Sequence, residues 1–172
     1  MRFSLSHVYE HDADTVLAVC MDRHYLERKY HAMGPGPVEF IEFGESQDRF
    51  RATIQRELPG ISHKDVPRIA RRFVRDSYTL VYTVEWDLEG AEEKSGRMNM
   101  HIQDVPVTIT GDLRLLPTEE GCAKAFDIQI HSGIPVIGSK VSNEAAKLVR
   151  RSLDKEYAFS RQYLREHVRV GS

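Results

Sequence analysis

Long apolar runs, a cysteine framework and a large net charge are all missing from this sequence. The longest apolar run covers residues 16–21, whereas a helix needs about 20 apolar residues to cross a bilayer. Two cysteines, Cys20 and Cys122, make no framework, and we predict two reduced thiols unless the fold brings them together. A formal net charge of −2 gives no general attraction to nucleic acid or to an anionic membrane.

These absences set expectations for location and partners. Residues 1–7 alternate in polarity and do not resemble a signal peptide. We therefore expect a cytoplasmic protein with no integral membrane association and no nucleic-acid partner. The chain has 172 residues and no internal repeat, low-complexity tract or linker. That length suits one domain over residues 1–172.

The first elements along the chain are predicted to be one strand and two short helices. Residues 2–9 alternate between apolar and polar side chains, which is typical of a strand. Asp12 can cap the helix that follows, because its side chain can accept a hydrogen bond from the first helical turn. A second helix is predicted near residues 22–32, and the glycines and prolines of residues 34–37 end it.

Two strands and another short helix come next. Residues 38–43 and 50–58 alternate in polarity, and residues 44–48 suit a hairpin turn between them. Asp65 can cap a helix that has Pro67 near its first turn. The apolar face of that helix is predicted to contain Val66, Ile69, Ala70 and Phe73.

Four further strands are predicted, each with one apolar face, as in an antiparallel sheet that buries one side. Turn-forming residues separate them. The apolar rows are Tyr78, Leu80, Tyr82, Val84 and Trp86 in the first strand, Met98, Met100 and Ile102 in the second, Val107, Ile109, Leu113 and Leu115 in the third, and Phe126, Ile128 and Ile130 in the fourth.

The longest helical pattern in the chain closes the sequence. It runs from about residue 139 to residue 168 with apolar residues spaced by three and four. Such a helix is roughly 45 Å long, longer than a small sheet can cover. We expect its last turns to protrude or to contact a partner.

The order of these elements indicates an α+β protein and resembles a known superfamily. A sheet of seven strands needs its apolar face covered, and the final helix has the right size. The arrangement is similar to the helix-grip fold of the START-like (SRPBCC) superfamily. Local features sharpen the likeness to family 2505 among the domains of unknown function: Trp86 at a strand end, residues 105–117 with Pro106 and Gly111, and residues 135–138 before the final helix.

The resemblance implies a hydrophobic or amphipathic small molecule, lipid-like or polyketide-like, held between the sheet and the last helix. The alternative is that the same residues close-pack into a solid core. Methionines suit an adaptable pocket, and tyrosine and tryptophan combine apolar bodies with polar tips. The candidate ligand-binding residues are Tyr78, Tyr82, Trp86, Met98, Met100, Ile109, Phe126, Ile128, Ile130, Val141, Ala145 and Leu148.

An enzyme of the cyclase or hydrolase type is the first alternative function. It needs a polar side chain inside the cavity, and by alternation the polar residues of the predicted strands should face solvent. We therefore assign no catalytic residue. The outward-facing candidates are His101, Gln103, Asp127, Gln129 and His131.

Other kinds of site have weaker support. His24, Glu27 and His31 lie near one helix face, but the histidines are two turns apart and do not suit one zinc ion. We expect no metal and no cofactor. Four arginines, Arg68, Arg71, Arg72 and Arg75, could hold an anion but are typical of a solvated surface. A protein-interaction module, including a homodimer, is the second alternative function.

Overall fold

The structure, a computed structural model, describes residues 1–90 and 92–169. It contains a seven-stranded antiparallel sheet in the order β1-β7-β6-β5-β4-β3-β2 and three α-helices. The predicted α+β helix-grip architecture is confirmed. The strands are β1 (Arg2–Tyr9), β2 (Val38–Ser46), β3 (Arg49–Pro59), β4 (Ser77–Asp87), β5 (Lys94–Ile102), β6 (Val107–Pro117) and β7 (Cys122–Ser132), and the helices are α1 (Ala13–Cys20), α2 (Arg23–Met33) and α3 (Gly138–His167).

Both short helices begin at an aspartate cap. Asp12 accepts a hydrogen bond from the Thr15 amide at 2.8 Å, and Asp22 accepts one from the Tyr25 amide at 2.8 Å. Each carboxylate satisfies a backbone donor that the first turn leaves without a partner. The caps fix where α1 and α2 start, and therefore which residues of α2 face the sheet.

A bulge interrupts the regular strand pairing at the β2 edge of the sheet. The pairing of β2 with β3 shifts between Phe40 and Glu42, so Ile41 is the extra residue. The bulge puts Phe40 and Phe43 in contact, with ring centroids 5.8 Å apart. The predicted turn at residues 44–48 is too long, because β2 continues to Ser46 and the reversal needs only two residues.

The connection between β3 and β4 differs from the predicted helix. It consists of two 3-10 helices, His63–Asp65 and Arg68–Phe73. Ser62, and not Asp65, caps the first one by accepting from the Lys64 amide. Ile69, expected on the buried face, is 43% exposed, because the three-residue turn rotates side chains away from the α-helical pattern.

Helix α3 packs against β7 and β1 of the sheet and against α2. Near its C-terminus Tyr163 and Leu164 are buried, and the Tyr163 ring lies 5.1 Å from that of Tyr25 in α2. The expectation that its last turns protrude is wrong, since Tyr25 of α2 contacts both Ser160 and Tyr163 there. Contact of this end with a partner stays a prediction. The exposed apolar position lies at mid-helix instead, where Leu148 is 61% exposed.

Two further expectations concern cysteines and membranes. Cys20 and Cys122 are both free and buried, as predicted. Among the residues that the structure describes, no helix has the length and apolar character needed to cross a bilayer.

Candidate ligand-binding site

A cavity of about 410 Å³ separates the sheet from the middle of α3. Its walls are the concave faces of β3 to β7, the inner face of α2 and one side of α3. Its exposed lining residues, which include Pro35, Pro59 and Leu148, indicate where its mouth lies. Most lining residues are apolar, and the size falls within the range of small-molecule pockets.

Eight of the twelve candidate residues from the sequence line this cavity. They come from four strands and α3, which the fold brings together around one space. These eight are Tyr82, Trp86, Met98, Met100, Ile109, Phe126, Ala145 and Leu148.

The other four candidates lie elsewhere. The Tyr78 hydroxyl donates to the Phe73 carbonyl and accepts from the Arg75 amide, both at 3.2 Å, so it holds the β3–β4 connection. Ile128 and Ile130 are fully buried farther along β7. Val141, half-buried in the first turns of α3, does not line the cavity either.

Two lysines and one glutamate meet in the buried part of the cavity wall. None of them is among the candidate residues predicted from the sequence. Lys124 Nζ lies 3.2 Å from Glu156 Oε1, and Lys29 Nζ lies 3.5 Å from Glu156 Oε2. We call Lys29, Lys124 and Glu156 the ionic cluster. All three line the cavity, and both lysines are buried.

Each member of the ionic cluster stands in an apolar row of a different element. Lys29 lies one turn after Tyr25 on α2, Lys124 precedes Phe126 by two residues on β7, and Glu156 follows Leu153 by three on α3. The sequence therefore contained a signal for this cluster, because a charged side chain at an inward position of a strand or helix has to be paired. The periodicity of each element indicates that its charged residue faces inward, but it does not indicate which residue is the partner.

Aromatic rings surround the two ammonium groups. Lys124 Nζ lies 5.2 Å from the Phe126 ring centroid and 6.0 Å from that of Trp86. Lys29 Nζ lies 4.7 Å from the Tyr30 centroid and 5.5 Å from that of Tyr25. Cation–π attraction lowers the free energy of keeping these charges in a place that water reaches poorly.

The lysines keep Glu156 ionised. Burial alone would raise the pKa of this carboxyl, but the charges of Lys29 and Lys124 and their hydrogen bonds outweigh burial and lower the pKa to about 2. Burial also disfavours the Lys124 ammonium, yet nearby groups raise its pKa well above the usual value. At neutral pH the Lys124 ammonium therefore faces the Glu156 carboxylate as a charged pair.

Tyrosine hydroxyls supply neutral polar groups to the same space. Burial raises the pKa of Tyr30 and of Tyr82 above the usual value, so both phenols stay protonated. Both residues line the cavity. The Tyr25 hydroxyl, in contrast, hydrogen-bonds to Ser160 Oγ at 2.5 Å.

Arg56 connects the cavity mouth to the sheet. It is buried on β3, and its guanidinium donates to the carbonyls of Tyr30, at 3.2 Å, and Pro35, at 3.4 Å. Its Nε is buried without a hydrogen-bond partner among the described residues. Arg56 also lines the cavity, so a third positively charged group faces the same space as the ionic cluster.

The remaining sequence candidates lie outside the cavity. His101, Gln103, Asp127, Gln129 and His131 do not line it. Within residues 1–90 and 92–169, no group of three or more His, Cys, Asp and Glu side chains is arranged to hold a metal ion, so His24, Glu27 and His31 form no such group. The four arginines of the β3–β4 connection do not line the cavity either.

Comparison with protein families gives one match. The family model described as "Protein of unknown function (DUF2505)" matches residues 4–164. The comparison with curated proteins gives no match.

Solved structures show the same fold at low sequence identity. TTHA0849 from Thermus thermophilus superposes with a TM-score of 0.62 and 13% identity, over 98% of this chain and 100% of that one. A STAR-related lipid transfer protein from Xanthomonas axonopodis gives a TM-score of 0.56 and 14% identity, over 95% and 85% of the two chains. At such identities the likeness shows the START-like fold alone.

Proposed function

Because the chain belongs to the DUF2505 family of unknown function and has a START-like fold, we propose that it binds a hydrophobic or amphipathic small molecule, lipid-like or polyketide-like. The observation that carries this proposal is the 410 Å³ apolar cavity between the sheet and α3, with its mouth beside Leu148. The name of the Xanthomonas axonopodis neighbour, a lipid transfer protein, supports the same class of ligand.

Affinity would come from burying the apolar surface of the ligand. Each 100 Å² of apolar area removed from water contributes about 2.5 kcal/mol before the cost of association. Met98 and Met100 can adapt to ligands of different shape. The hydroxyl of Tyr82 can orient a polar end.

An acid–base enzyme is the second candidate, because Glu156 is a carboxylate inside the cavity. General acid or base catalysis works best when the pKa is close to the working pH. The pKa of Glu156 is about 2, so this carboxyl has no proton to donate at neutral pH and is a weak base. Ligand binding without chemistry accounts better for this group.

The test is binding of N-phenyl-1-naphthylamine, a neutral apolar dye that fluoresces in apolar pockets. Wild-type protein should bind it saturably, and Ala145→Trp should weaken binding by at least about tenfold because the indole fills space that the dye needs. The matched control is Ala158→Trp, an exposed position on the same helix, which should bind like wild type.

Native mass spectrometry of protein purified from its own cells gives an independent readout. A co-purifying small molecule that Ala145→Trp loses and Ala158→Trp retains would support the proposal. Absence of dye binding, or equal binding by the two variants, would contradict it.

A further inference from the structure

The charges that line the cavity do not balance. Three buried cations, Lys29, Lys124 and Arg56, line this space. One largely enclosed anion lies among them, Glu156, whose side chain is 13% exposed. The other carboxylate of the lining, Glu57, is exposed at the rim and accepts from Thr79 Oγ1 at 2.8 Å. The interior of the cavity is therefore positive, and charges in such surroundings interact strongly because water screens them poorly.

Among the described residues, the two ammonium groups have fewer hydrogen-bond acceptors than donors. Each has three N–H donors. Lys124 donates to Glu156 and makes a long contact of 3.9 Å with Cys20 Sγ, and the only counter-ion of Lys29 among the described residues is Glu156 at 3.5 Å. Ring faces of Tyr25, Tyr30, Trp86 and Phe126 also lie near the two ammonium groups, and rings attract cations but accept hydrogen bonds poorly.

We propose that the cavity selects amphipathic molecules that carry one anionic head group, of which a carboxylate is the simplest, and that Lys29 and Lys124 bind it. This inference rests on the proposed function and specifies its ligand class. A head-group oxygen accepts from the two ammonium groups beside Glu156, and charge-assisted hydrogen bonds of this kind are stronger than neutral ones. The head group is a second anion beside Glu156, and it reduces the excess positive charge of the cavity.

The geometry gives the ligand a direction. Glu156 lies eight residues after the exposed Leu148, about 12 Å farther along the axis of α3, and it contacts the two buried lysines. The head group thus lies at the inner end, and the apolar tail extends past Met98 and Met100 toward the mouth. The phenols of Tyr30 and Tyr82 are additional donors near the polar end of the ligand.

The experiment compares dodecanoate with 1-dodecanol, which have the same chain length and differ in head-group charge. Displacement of N-phenyl-1-naphthylamine at pH 7.5 measures both affinities. Wild type is expected to bind dodecanoate at least about tenfold more tightly, as expected for hydrogen bonds to a charged group. Lys29→Met and Lys124→Met should remove that preference and retain dodecanol binding.

Glu156→Gln should strengthen the preference for dodecanoate over dodecanol, whereas the lysine variants remove it. Removing the competing anion should tighten dodecanoate binding relative to dodecanol, and dodecanoate should raise the unfolding temperature of Glu156→Gln more than that of wild type. Damage to the fold would weaken both ligands and cannot produce this pattern. Lys147→Met, which removes an exposed lysine paired with Glu144 on the same helix, is the charge control and should behave like wild type.

The outcomes separate the two proposals. Equal affinities for dodecanoate and dodecanol in wild type, with the dye still bound, would overturn the head-group assignment and leave the proposed function standing. Failure of the dye and of both ligands would overturn the proposed function and the assignment together. If a cluster variant does not fold, the comparison of wild type with Lys147→Met still decides whether a carboxylate preference exists.

Discussion

Glu156 lines the cavity and also joins α3 to a second helix and to the sheet. It joins α3 to Lys29 of α2 and to Lys124 of β7. One turn later on α3, the Ser160 hydroxyl donates to the Glu156 carbonyl at 2.7 Å. Removing one partner of a buried ion pair leaves an uncompensated charge. The same carboxylate therefore affects both stability and ligand preference.

The stability contribution of Glu156 is predicted to depend on pH. Its folded-state pKa of about 2 is below the ordinary 4.5, so the contribution is complete above about pH 4.5 and is lost as the pH falls toward 2. Glu156→Gln should lower the free energy of unfolding by about 3 kcal/mol at pH 7. Urea unfolding of wild type and Glu156→Gln at pH 7 and at pH 3 measures how much of this difference in the free energy of unfolding remains at the lower pH.

The control for this prediction is Glu144→Gln on the exposed side of α3, whose carboxylate pairs with Lys147 in water. Its effect on unfolding should be small at both pH values, since exposed pairs contribute little. A Glu156→Gln effect that stays the same from pH 7 to pH 3 would show that the lysines do not lower the pKa of this carboxyl.

At the scale of elements, the last turns of α3 and its middle have different surroundings. One face of its last turns packs against α2, and Leu164 there is 2% exposed. Its middle stands off the sheet, and Leu148 is 61% exposed beside the cavity mouth. The two leucines on one helix therefore allow core packing and cavity lining to be distinguished.

Truncation of these leucines is predicted to have unequal effects on stability. Leu164→Ala should lower the free energy of unfolding by about 2–5 kcal/mol, because it leaves a void in a close-packed region. Leu148→Ala should stay within about 0.5 kcal/mol of wild type, as exposed positions do. Equal effects in chemical denaturation would mean that mid-helix is packed and that the cavity is closed.

The faces of β4 to β7 were predictable at this scale, whereas the β3–β4 connection and the bulge within β2 were not. Alternation correctly assigned the inward rows of β4 to β7, because one face of the sheet is buried and the other is wet. The β3–β4 connection became two 3-10 helices, since short helices depend more on tertiary packing than on propensity. The bulge at Ile41 reverses a face within β2 and interrupts the period on which the prediction relied.

At the scale of the whole molecule, the sheet and all three helices share one hydrophobic core. We therefore predict a single cooperative thermal transition, with equal calorimetric and van't Hoff enthalpies. A bound ligand at about a hundred times its Kd should add about 2.7 kcal/mol of stability and move the whole transition upward. Differential scanning calorimetry that resolved two transitions would contradict the one-domain prediction.

Self-association also belongs to this scale and stays a prediction. Sedimentation velocity over a wide concentration range measures it directly. A sedimentation coefficient that does not change with concentration, and that matches a chain of 19.8 kDa, would count against a homodimer.

The sequence by itself determined the order of the elements, the apolar faces of the strands, the Asp12 cap and the long final helix, and these were enough for the fold. Each is a local property, readable from the spacing of residues a few positions apart. Only the tertiary structure decided that α3 stands away from the sheet at Leu148, and that Lys29, Lys124 and Glu156 meet beneath it. Spacing says which face a side chain takes, but the distance between faces and the pairing of remote charges depend on how all the elements pack.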